Sequence, residues 1–243
     1  PFDTPAASAH TVDALERAVS LRDAFFGYLR ETPQPHVVVA GGGYTGLELA
    51  ASLAARATAE GKVCRVTVVE SGKEILPFLP PPRRNAITAA LDAAGVTIVT
   101  GTRVTAWNGR DVEMGERRHE AVFFCWTAGS VFAVPEVRGD VARLRDGRLA
   151  VAPDLSLPGH PAVFAAGDAA AVVHRGEPLR KAVNFAWYGG RAAGCNARAR
   201  LRGAPTRPYR PVDLGWVIPL HTTGVGLLFG RAQGAAIDGP VGR

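Results

Sequence analysis

Residues 36–70 place a glycine-rich turn between runs typical of a strand and a helix. The run 36–40 (HVVVA) is apolar and β-branched, as expected of a buried parallel strand. Three glycines with GxGxxG spacing follow it directly: Gly41, Gly43 and Gly46. Residues 44–58 are good helix formers, and residues 63–70 (VCRVTVVE) predict a second strand. The order strand, turn, helix, strand is a βαβ unit, and it predicts a Rossmann-like α/β domain.

The turn itself predicts a dinucleotide site. Gly41 permits the tight turn, Gly43 lets a pyrophosphate approach the backbone, and Gly46 lets the helix and the strand pack closely. The N-terminus of the helix adds free N–H groups and partial positive charge at the phosphates. The residues expected at the cofactor are those of the turn: Gly41, Gly42, Gly43, Tyr44, Thr45 and Gly46.

The acidic residue that ends the second strand favours NADH as the nucleotide. Glu70 can accept hydrogen bonds from both hydroxyls of the adenosine ribose, and its charge would repel the 2′-phosphate of NADPH. No arginine follows directly, because residues 71–73 are Ser-Gly-Lys. The alternative is a purely structural glycine turn beside an unrelated carboxylate. The strand before the turn and the helix after it favour the cofactor site.

Residues 83–126 predict the remainder of this domain. A helix is expected over residues 83–94 and a third strand over residues 96–100. Short alternating runs then predict a β-meander, with the hairpin signal Asn108-Gly109 between its first two strands. The expected meander strands are 103–107, 111–114 and 119–126. An amphipathic helix is predicted ahead of the whole domain, over residues 12–30.

The sequence changes character after residue 130. Residues 162–166 (AVFAA) predict a buried strand that ends in Gly167 and Asp168. The Asp168 carboxylate could accept a hydrogen bond from a sugar-like hydroxyl of a ligand, or it could cap a helix starting there. Residues 181–201 predict a helix, and the residues after it are strand-like towards the end of the chain.

Composition excludes several kinds of protein and of site. The 243 residues are 47% hydrophobic and 21% charged, which is typical of a globular protein. The densest basic stretch, residues 198–210, lacks a nucleic-acid motif, so it predicts a solvated face or a membrane-surface patch and no nucleic-acid partner. The cysteines form no CxxC or CxxxxC pair, so neither a redox dithiol nor a metal site is expected. No apolar run reaches the roughly 18 residues of a membrane-spanning helix.

Three motifs, in this order, resemble the two-dinucleotide-domain flavoprotein oxidoreductases. Residues 37–54 (VVVAGGGYTGLELAASLA) resemble the internal NAD-binding segment of that family. Residues 126–129 (WTAG) resemble the turn that ends this segment, and residues 163–168 (VFAAGD) resemble the late FAD-binding motif. Within the family, the likeness is strongest to the type II NADH dehydrogenases. It rests on the lack of a CxxxxC pair and on residues 192–203 (AAGCNARARLRG) and 213–220 (DLGWVIPL).

The resemblance implies roles for particular residues. It implies FAD and NADH as cofactors, with the FAD ribityl chain held by Asp168 and its neighbour Gly167. Gly129 would line the NADH groove, and Glu48 would lie near the nicotinamide, where it faces the flavin. Glu48 is therefore the candidate catalytic residue. Asn184 takes the position of the glutamine that usually lies beside the flavin in this family.

The resemblance also predicts the domain organisation. The family opens with its own FAD-binding βαβ unit and another GxGxxG turn, whereas this chain has one such turn, so we expect a fragment. The predicted segments are a connector helix over 1–31, an NADH-binding domain over 32–130, the C-terminal part of an FAD-binding domain over 131–203, and a truncated C-terminal strand region over 204–243.

Three functions stay open from the sequence. The resemblance implies transfer of a hydride from NADH to FAD and then of two electrons to a quinone, by a cytoplasmic protein at the inner face of the membrane, and it is compatible with a homodimer. The same flavoprotein core could instead reduce a small iron–sulfur protein that the basic stretch 198–210 attracts. The single glycine turn also allows an NAD-binding module without turnover.

Overall fold

The computed structural model of the chain describes residues 8–120, 122–129, 137, 139–221, 223–228 and 236–240. The chain divides into two compact units. The first comprises the described residues up to Gly129 together with those from Gly215 onwards, and the second comprises those between them. The domain boundary predicted at residue 130 falls among residues 130–136, which lie outside the described part.

The first unit begins as an alternation of helices and parallel strands. Its helices are α1 (Leu15–Glu31), α2 (Tyr44–Ala59) and α3 (Pro81–Ala93). Its strands up to Gly129 are β1 (His36–Ala40), β2 (Arg65–Val69), β3 (Val96–Val99), β4 (Val104–Trp107), β5 (Val112–Met114), β6 (Arg117–His119) and β7 (Phe123–Trp126). The predicted helices and strands up to β5 are all present, with ends that differ by a few residues at most.

Four of these strands form a parallel sheet in the order β3-β2-β1-β7. In the β1–β2 pair Ala40 lies opposite Val69, and in the β1–β7 pair Ala40 lies opposite Trp126. The carboxyl ends of three neighbouring strands therefore meet at one edge of the sheet. The residues that follow these strands, Gly41, Glu70 and Thr127, leave the sheet side by side, which is where ligands bind in open α/β folds.

The two faces of this sheet bury different partners, because successive side chains of a strand point to opposite faces. Val37 and Val39 of β1 pack in the apolar cluster that contains the buried faces of α1, α2 and α3. Val38 and Ala40 pack in the cluster that contains the meander. Helices, parallel sheet and meander thus form three layers, which confirms the predicted Rossmann-like architecture.

The meander consists of β4, β5 and β6 in antiparallel order. At the predicted Asn108-Gly109 turn, the Asn108 side-chain oxygen accepts hydrogen bonds from the backbone N–H groups of Arg110 and Asp111. The predicted single strand over residues 119–126 is wrong. The polar run Arg117–His119 is the meander edge, whereas the apolar run Phe123–Trp126 enters the parallel sheet, where both of its faces are buried.

The second unit contains one long helix and three short pairs of strands. These elements are β8 (Leu149–Ala150), β9 (Ser156–Leu157), β10 (His160–Phe164), β11 (Ala170–Ala171), β12 (Val173–His174), β13 (Glu177–Pro178) and α4 (Val183–Leu201). The pairs are β8 with β11, β9 with β10, and β12 with β13. Helix α4 continues through Gly189 and Gly190, and it buries Phe185, Gly189, Ala193 and Asn196 on one face.

The prediction of a buried strand over residues 162–166 is wrong in both its bounds and its burial. The strand is β10, which ends at Phe164, and its residues Pro161 to Val163 are exposed. Among the described residues this strand pairs on one side only, with β9. Apolar composition predicted burial, but it could not show that the strand lies at an edge.

The chain then returns to the first unit as a three-stranded antiparallel sheet. Its strands are β14 (Gly215–Leu220), β15 (Thr223–Leu228) and β16 (Ala236–Pro240), in that order. Ile218, Leu220 and Val225 are buried in the same apolar cluster as the helices. Within the described part of the chain, no helix is long and apolar enough to cross a membrane.

We expect the meander layer to depend on Phe124. This ring is 2% exposed, and its centroid lies 4.9 Å from that of Trp107. The substitution Phe124→Ala should lower the free energy of unfolding by about 3–5 kcal/mol, because it leaves a cavity between the layers. Val63→Ala, at a side chain that is 94% exposed, is the control and should have little effect. Urea unfolding followed by far-ultraviolet circular dichroism compares them, and equal losses would contradict the assigned layers.

Candidate functional site

The glycine turn is shaped by close contacts at three of its glycines. Gly41 has a φ of +113°, a conformation that side chains rarely allow, and its N–H donates to the Val69 carbonyl at 2.8 Å. A Cβ atom at Gly46 would lie 1.9 Å from the Gly41 carbonyl oxygen. A Cβ atom at Gly42 would lie 2.8 Å from the Ile75 side chain. These positions therefore accept no larger residue without movement of the backbone or of Ile75.

Gly43 differs from its neighbours because it faces open space. A Cβ atom there would meet no other atom within 4 Å, and its φ of −79° suits any residue. Gly43 is also the N-cap of α2, and no side chain caps this helix. The first N–H groups of a helix have no acceptor within the helix, so this end can offer donors to a ligand. The vacant side-chain position and the uncapped helix together form an anion cradle.

Glu70 is held in place by backbone N–H groups of the turn and of the loop that follows β2. Its Oε2 accepts from the Gly42 N–H at 2.8 Å, and its Oε1 accepts from the Gly72 N–H at 2.6 Å. A carboxylate offers about four acceptor positions, so capacity for hydroxyl donors remains. The structure thus places Glu70 beside the turn, as the sequence predicts, and it adds that this residue orients the turn.

Thr127 belongs to the same edge, and sequence reasoning did not single it out. It follows β7, and its N–H and its hydroxyl both donate to the Ala40 carbonyl, at 2.9 and 2.8 Å. The sequence shows Thr127 in WTAG, at the end of an apolar run. Its place beside the turn depends on the pairing of that run, as β7, with β1.

Glu48 is the fifth residue of α2 and is half-buried. Burial raises the pKa of its carboxyl group above the ordinary value of 4.5. Its carboxylate makes no hydrogen bond or ion pair with the described part of the chain. This carboxyl group is consequently available to a ligand bound along the first turns of the helix.

A second group of predicted residues lies in the second unit. Gly167 has a φ of +68°, and a Cβ atom there would lie 3.4 Å from the Cβ of Ala186 in α4. Asp168 is exposed and lies inside a single turn of 3₁₀ helix, Gly167–Ala169. The expectation that Asp168 caps a helix is wrong, because this turn has no side-chain cap and continues into β11. Its carboxylate makes no hydrogen bond with any described residue.

Asp168 lines a cleft with basic walls. Arg148, Arg180 and Lys181 line the same cleft, together with Gly167 and the ring of Tyr209. Arg180 forms a bidentate ion pair with Asp213, with Nη2–Oδ1 and Nε–Oδ2 distances of 2.5 and 3.4 Å. These basic side chains were not predicted as site residues, because Arg148 is distant in sequence from Arg180 and Lys181, and only folding brings all three to Asp168.

The two remaining predicted residues are Gly129 and Asn184. Gly129 is exposed, with a φ of +75° and no atom within 4 Å of a Cβ placed there. Asn184 lies in the first turn of α4, and its amide donates to the Val212 carbonyl at 2.8 Å. One donor of the Asn184 amide is therefore used within the protein. Among the described residues, no group of three or more His, Cys, Asp or Glu could hold a metal ion.

A model of the pyridine nucleotide-disulphide oxidoreductase family matches residues 4–187 of the chain. The chain belongs to this family. The match includes the glycine turn, the WTAG segment and Asp168, so one family accounts for all three motifs in their order along the chain.

Several curated members of the family are similar to this chain. It is 32% identical over 210 residues to a demethylphylloquinone reductase of Synechocystis, covering 84% of this chain and 50% of the relative. It is 29% identical over 209 residues to a type II NADH:quinone oxidoreductase of Staphylococcus saprophyticus, covering 80% and 52%. A protein of the same name from Staphylococcus aureus is 26% identical over 241 residues, covering 91% and 60%. The chain thus spans about half the length of the curated relatives it matches.

Solved structures of other proteins share the fold. A FAD-dependent pyridine nucleotide-disulphide oxidoreductase from Desulfovibrio vulgaris matches with a TM-score of 0.65 and 22% identity, over 91% of this chain and 55% of that one. Putidaredoxin reductase in its covalent complex with putidaredoxin matches with a TM-score of 0.68 and 20% identity, over 94% of this chain and 54% of that one.

The cysteines of this family member are not paired. Cys64, Cys125 and Cys195 are all free. Burial raises the pKa of the Cys64 thiol to about 11 and that of Cys125 higher still, so both stay protonated at neutral pH. Neither thiol is suited to act as a thiolate in disulfide exchange.

The close approach at Gly46 predicts a large effect on stability. Gly46→Ala should lower the free energy of unfolding by more than about 3 kcal/mol, because α2 must move away from the Gly41 carbonyl. Gly43→Ser should change it by less than about 1 kcal/mol, because the position is open and serine is a good N-cap. Chemical denaturation measures both. A Gly46→Ala variant as stable as Gly43→Ser would show that the turn is not packed as described.

The raised pKa of Glu48 predicts a pH-dependent contribution to stability. A folded-state pKa above the unfolded value of 4.5 favours the folded state below pH 4.5, and this contribution is lost as the pH rises through the folded pKa. Glu48→Gln, which stays neutral, should therefore be more stable than the wild type at pH 7 and equal to it near pH 4. Thermal unfolding at both pH values tests this, and a variant less stable at pH 7 would contradict it.

Proposed function

We propose that this chain binds NADH at the glycine turn and forms part of a flavin-dependent NADH:quinone oxidoreductase. The observation that carries this proposal is the cradle at Gly43, which is open, uncapped and flanked by Glu70. The names of its relatives support the choice of reaction, since two are type II NADH:quinone oxidoreductases and one is a demethylphylloquinone reductase.

In this proposal the pyrophosphate of NADH lies against Gly43 and the N-terminal N–H groups of α2, with Tyr44 and Thr45 in the same turn. Glu70 accepts hydrogen bonds from the hydroxyls of the adenosine ribose, because its oxygens are already oriented by Gly42 and Gly72. The exposed Gly129 leaves room for the ligand to continue along the edge of the sheet. No side chain of this chain needs to form a covalent bond with the nucleotide.

The second unit fits the flavin that the family uses. Gly167 has a backbone conformation suited to glycine, and the carboxylate of Asp168 is free to accept hydrogen bonds from the ribityl hydroxyls. Arg148 and Arg180 beside Asp168 are already paired with Asp146 and Asp213, so Asp168 is the group of this cleft that is proposed to meet the ligand, and Asn184 would supply an amide near the ring. When bound, FAD would supply the capacity to accept a hydride and to pass on two electrons.

Glu48 would be the chain's own contribution beside the nicotinamide. It lies on α2 just beyond the turn glycines, and it makes no ion pair or hydrogen bond with the described residues. Its raised pKa reflects partial burial, so ionisation of this carboxyl group costs more than it does in water. A group of this kind can hold a proton or accept a hydrogen bond from the carboxamide of the nicotinamide, and Glu48 is the only acidic residue of α2.

We expect the wild-type chain to bind NADH and to bind NADPH at least about tenfold more weakly, because Glu70 repels the 2′-phosphate. Gly43→Ser should fold normally but lose NADH affinity, since its side chain occupies the cradle and can cap the helix N–H groups. Gly27→Ser is the matched control, because Gly27 also faces open space but lies in α1. Quenching of tryptophan fluorescence measures the affinities, and equal NADH affinity in all three proteins would refute the site.

A second candidate acceptor is supported by the charge of residues 181–210, which contain seven basic residues and no acidic one. Such a surface would attract an acidic iron–sulfur protein. The exposed apolar side chains of Trp187 and Leu201 favour instead contact with a membrane, as an acceptor quinone dissolved in lipid requires. NADH oxidation by the whole FAD-loaded oxidoreductase of which this chain is proposed to form part, with quinone in anionic vesicles or with a ferredoxin, separates the two acceptors.

A further inference from the structure

The Thr127 hydroxyl lies where the end of β7, the end of β1 and the start of α2 meet. It donates to the Ala40 carbonyl at 2.8 Å, and the Gly41 carbonyl oxygen lies 3.4 Å away. Together with the N–H of the same residue, it uses both lone pairs of the Ala40 carbonyl. The peptide group that joins β1 to the turn is therefore held at its carbonyl by Thr127, from a distant part of the chain, while its N–H donates to the Val69 carbonyl.

The same hydroxyl lies next to the positions that Cβ atoms would occupy at Gly41 and Gly46. A Cβ atom at Gly41 would lie 2.9 Å from the Thr127 oxygen, and a Cβ atom at Gly46 would lie 2.7 Å from it. Gly46 is the third residue of α2, so its position sets where the first turn of that helix lies. Thr127 thus contacts the turn at its first glycine and at its last one.

We propose that Thr127 is a positioning residue of the nucleotide site, whose hydroxyl sets the direction in which the N-terminal N–H groups of α2 meet a pyrophosphate. The proposal rests on the proposed NADH site. Because hydrogen bonds at a helix end depend on direction, a small rotation of the first turn weakens them without unfolding the domain. Thr127 acts through the backbone and does not touch the ligand.

A simple structural role would have a different consequence. If the hydroxyl only fastens β7 to β1, its loss should lower stability and leave affinity unchanged, because the Thr127 N–H still bonds to Ala40. Thr58 provides a matched comparison within α2, since its hydroxyl donates to the Ala54 carbonyl at 3.1 Å, far from the turn. Thr58→Val removes a bond of the same kind from the same helix.

The experiment measures the affinity of the full chain for NADH and, by competition, for inorganic pyrophosphate. Thr127→Val replaces the hydroxyl by a methyl group and Thr127→Ala removes both the hydroxyl and the methyl group, whereas Thr127→Ser keeps the hydroxyl. We expect both hydroxyl-free variants to bind each ligand about three- to tenfold more weakly, the equivalent of one hydrogen bond, and Ser to bind like the wild type. The melting temperature of Thr127→Ala should fall by about 2–4 °C, and that of Thr58→Val, at an exposed position, should change less.

The outcomes are distinct. If Thr127→Ala binds NADH and pyrophosphate as the wild type does, the positioning role is refuted while the NADH site stands. If Thr127→Ser binds as weakly as Thr127→Ala, the hydroxyl is not the cause, and the proposal is also refuted. If the wild type binds no NADH, the proposed function itself fails and the positioning role fails with it. Should Thr127→Val not fold, the Ala and Ser variants decide the question.

Discussion

The contact between the first turn of α2 and the end of β1 is the constraint on which the rest of the structure depends. Gly46 approaches the Gly41 carbonyl so closely that no side chain fits between them. This approach brings the start of the helix onto the sheet and leaves the N–H groups of its N-terminus exposed at the sheet edge. The apolar cluster behind it holds this arrangement, because Leu47 and Ala50 of α2 are completely buried. Because the helix end is already held in this way, the backbone needs little rearrangement to bind an anion there.

Parallel pairing then decides which side chains surround that helix end. Strands β1, β2 and β7 run in the same direction, so Gly41, Glu70 and Thr127 follow them at one edge although up to 86 positions separate them in the chain. Glu70 orients Gly42 through one carboxylate oxygen, and Thr127 fixes the Ala40 carbonyl from the other side. The turn is therefore held by a side chain from each of its two neighbouring strands, which limits how far it can move when a ligand binds.

Much of this organisation could be predicted from local patterns. The strand HVVVA and the helix after it were recognisable, because burial on both faces demands an apolar run and the glycines mark the turn. The meander was only partly predictable. Residues 119–126 were expected to form one strand, yet Arg117–His119 and Phe123–Trp126 belong to different sheets, and only long-range pairing separates them. The exposure of β10 and the 3₁₀ turn at Asp168 also depend on neighbours that are distant in sequence.

The sequence alone determined the family motifs, the glycine turn and the acid at the end of β2, because each consists of residues that are close together in the chain. The tertiary structure decided how these residues work. It showed that Gly43 is open while Gly41, Gly42 and Gly46 are closely packed, since that difference lies in which atoms surround each backbone position. It also brought Thr127 to the turn and the arginines to Asp168. Pairing of strands across the whole domain produces these contacts, and no local spacing of residues encodes them.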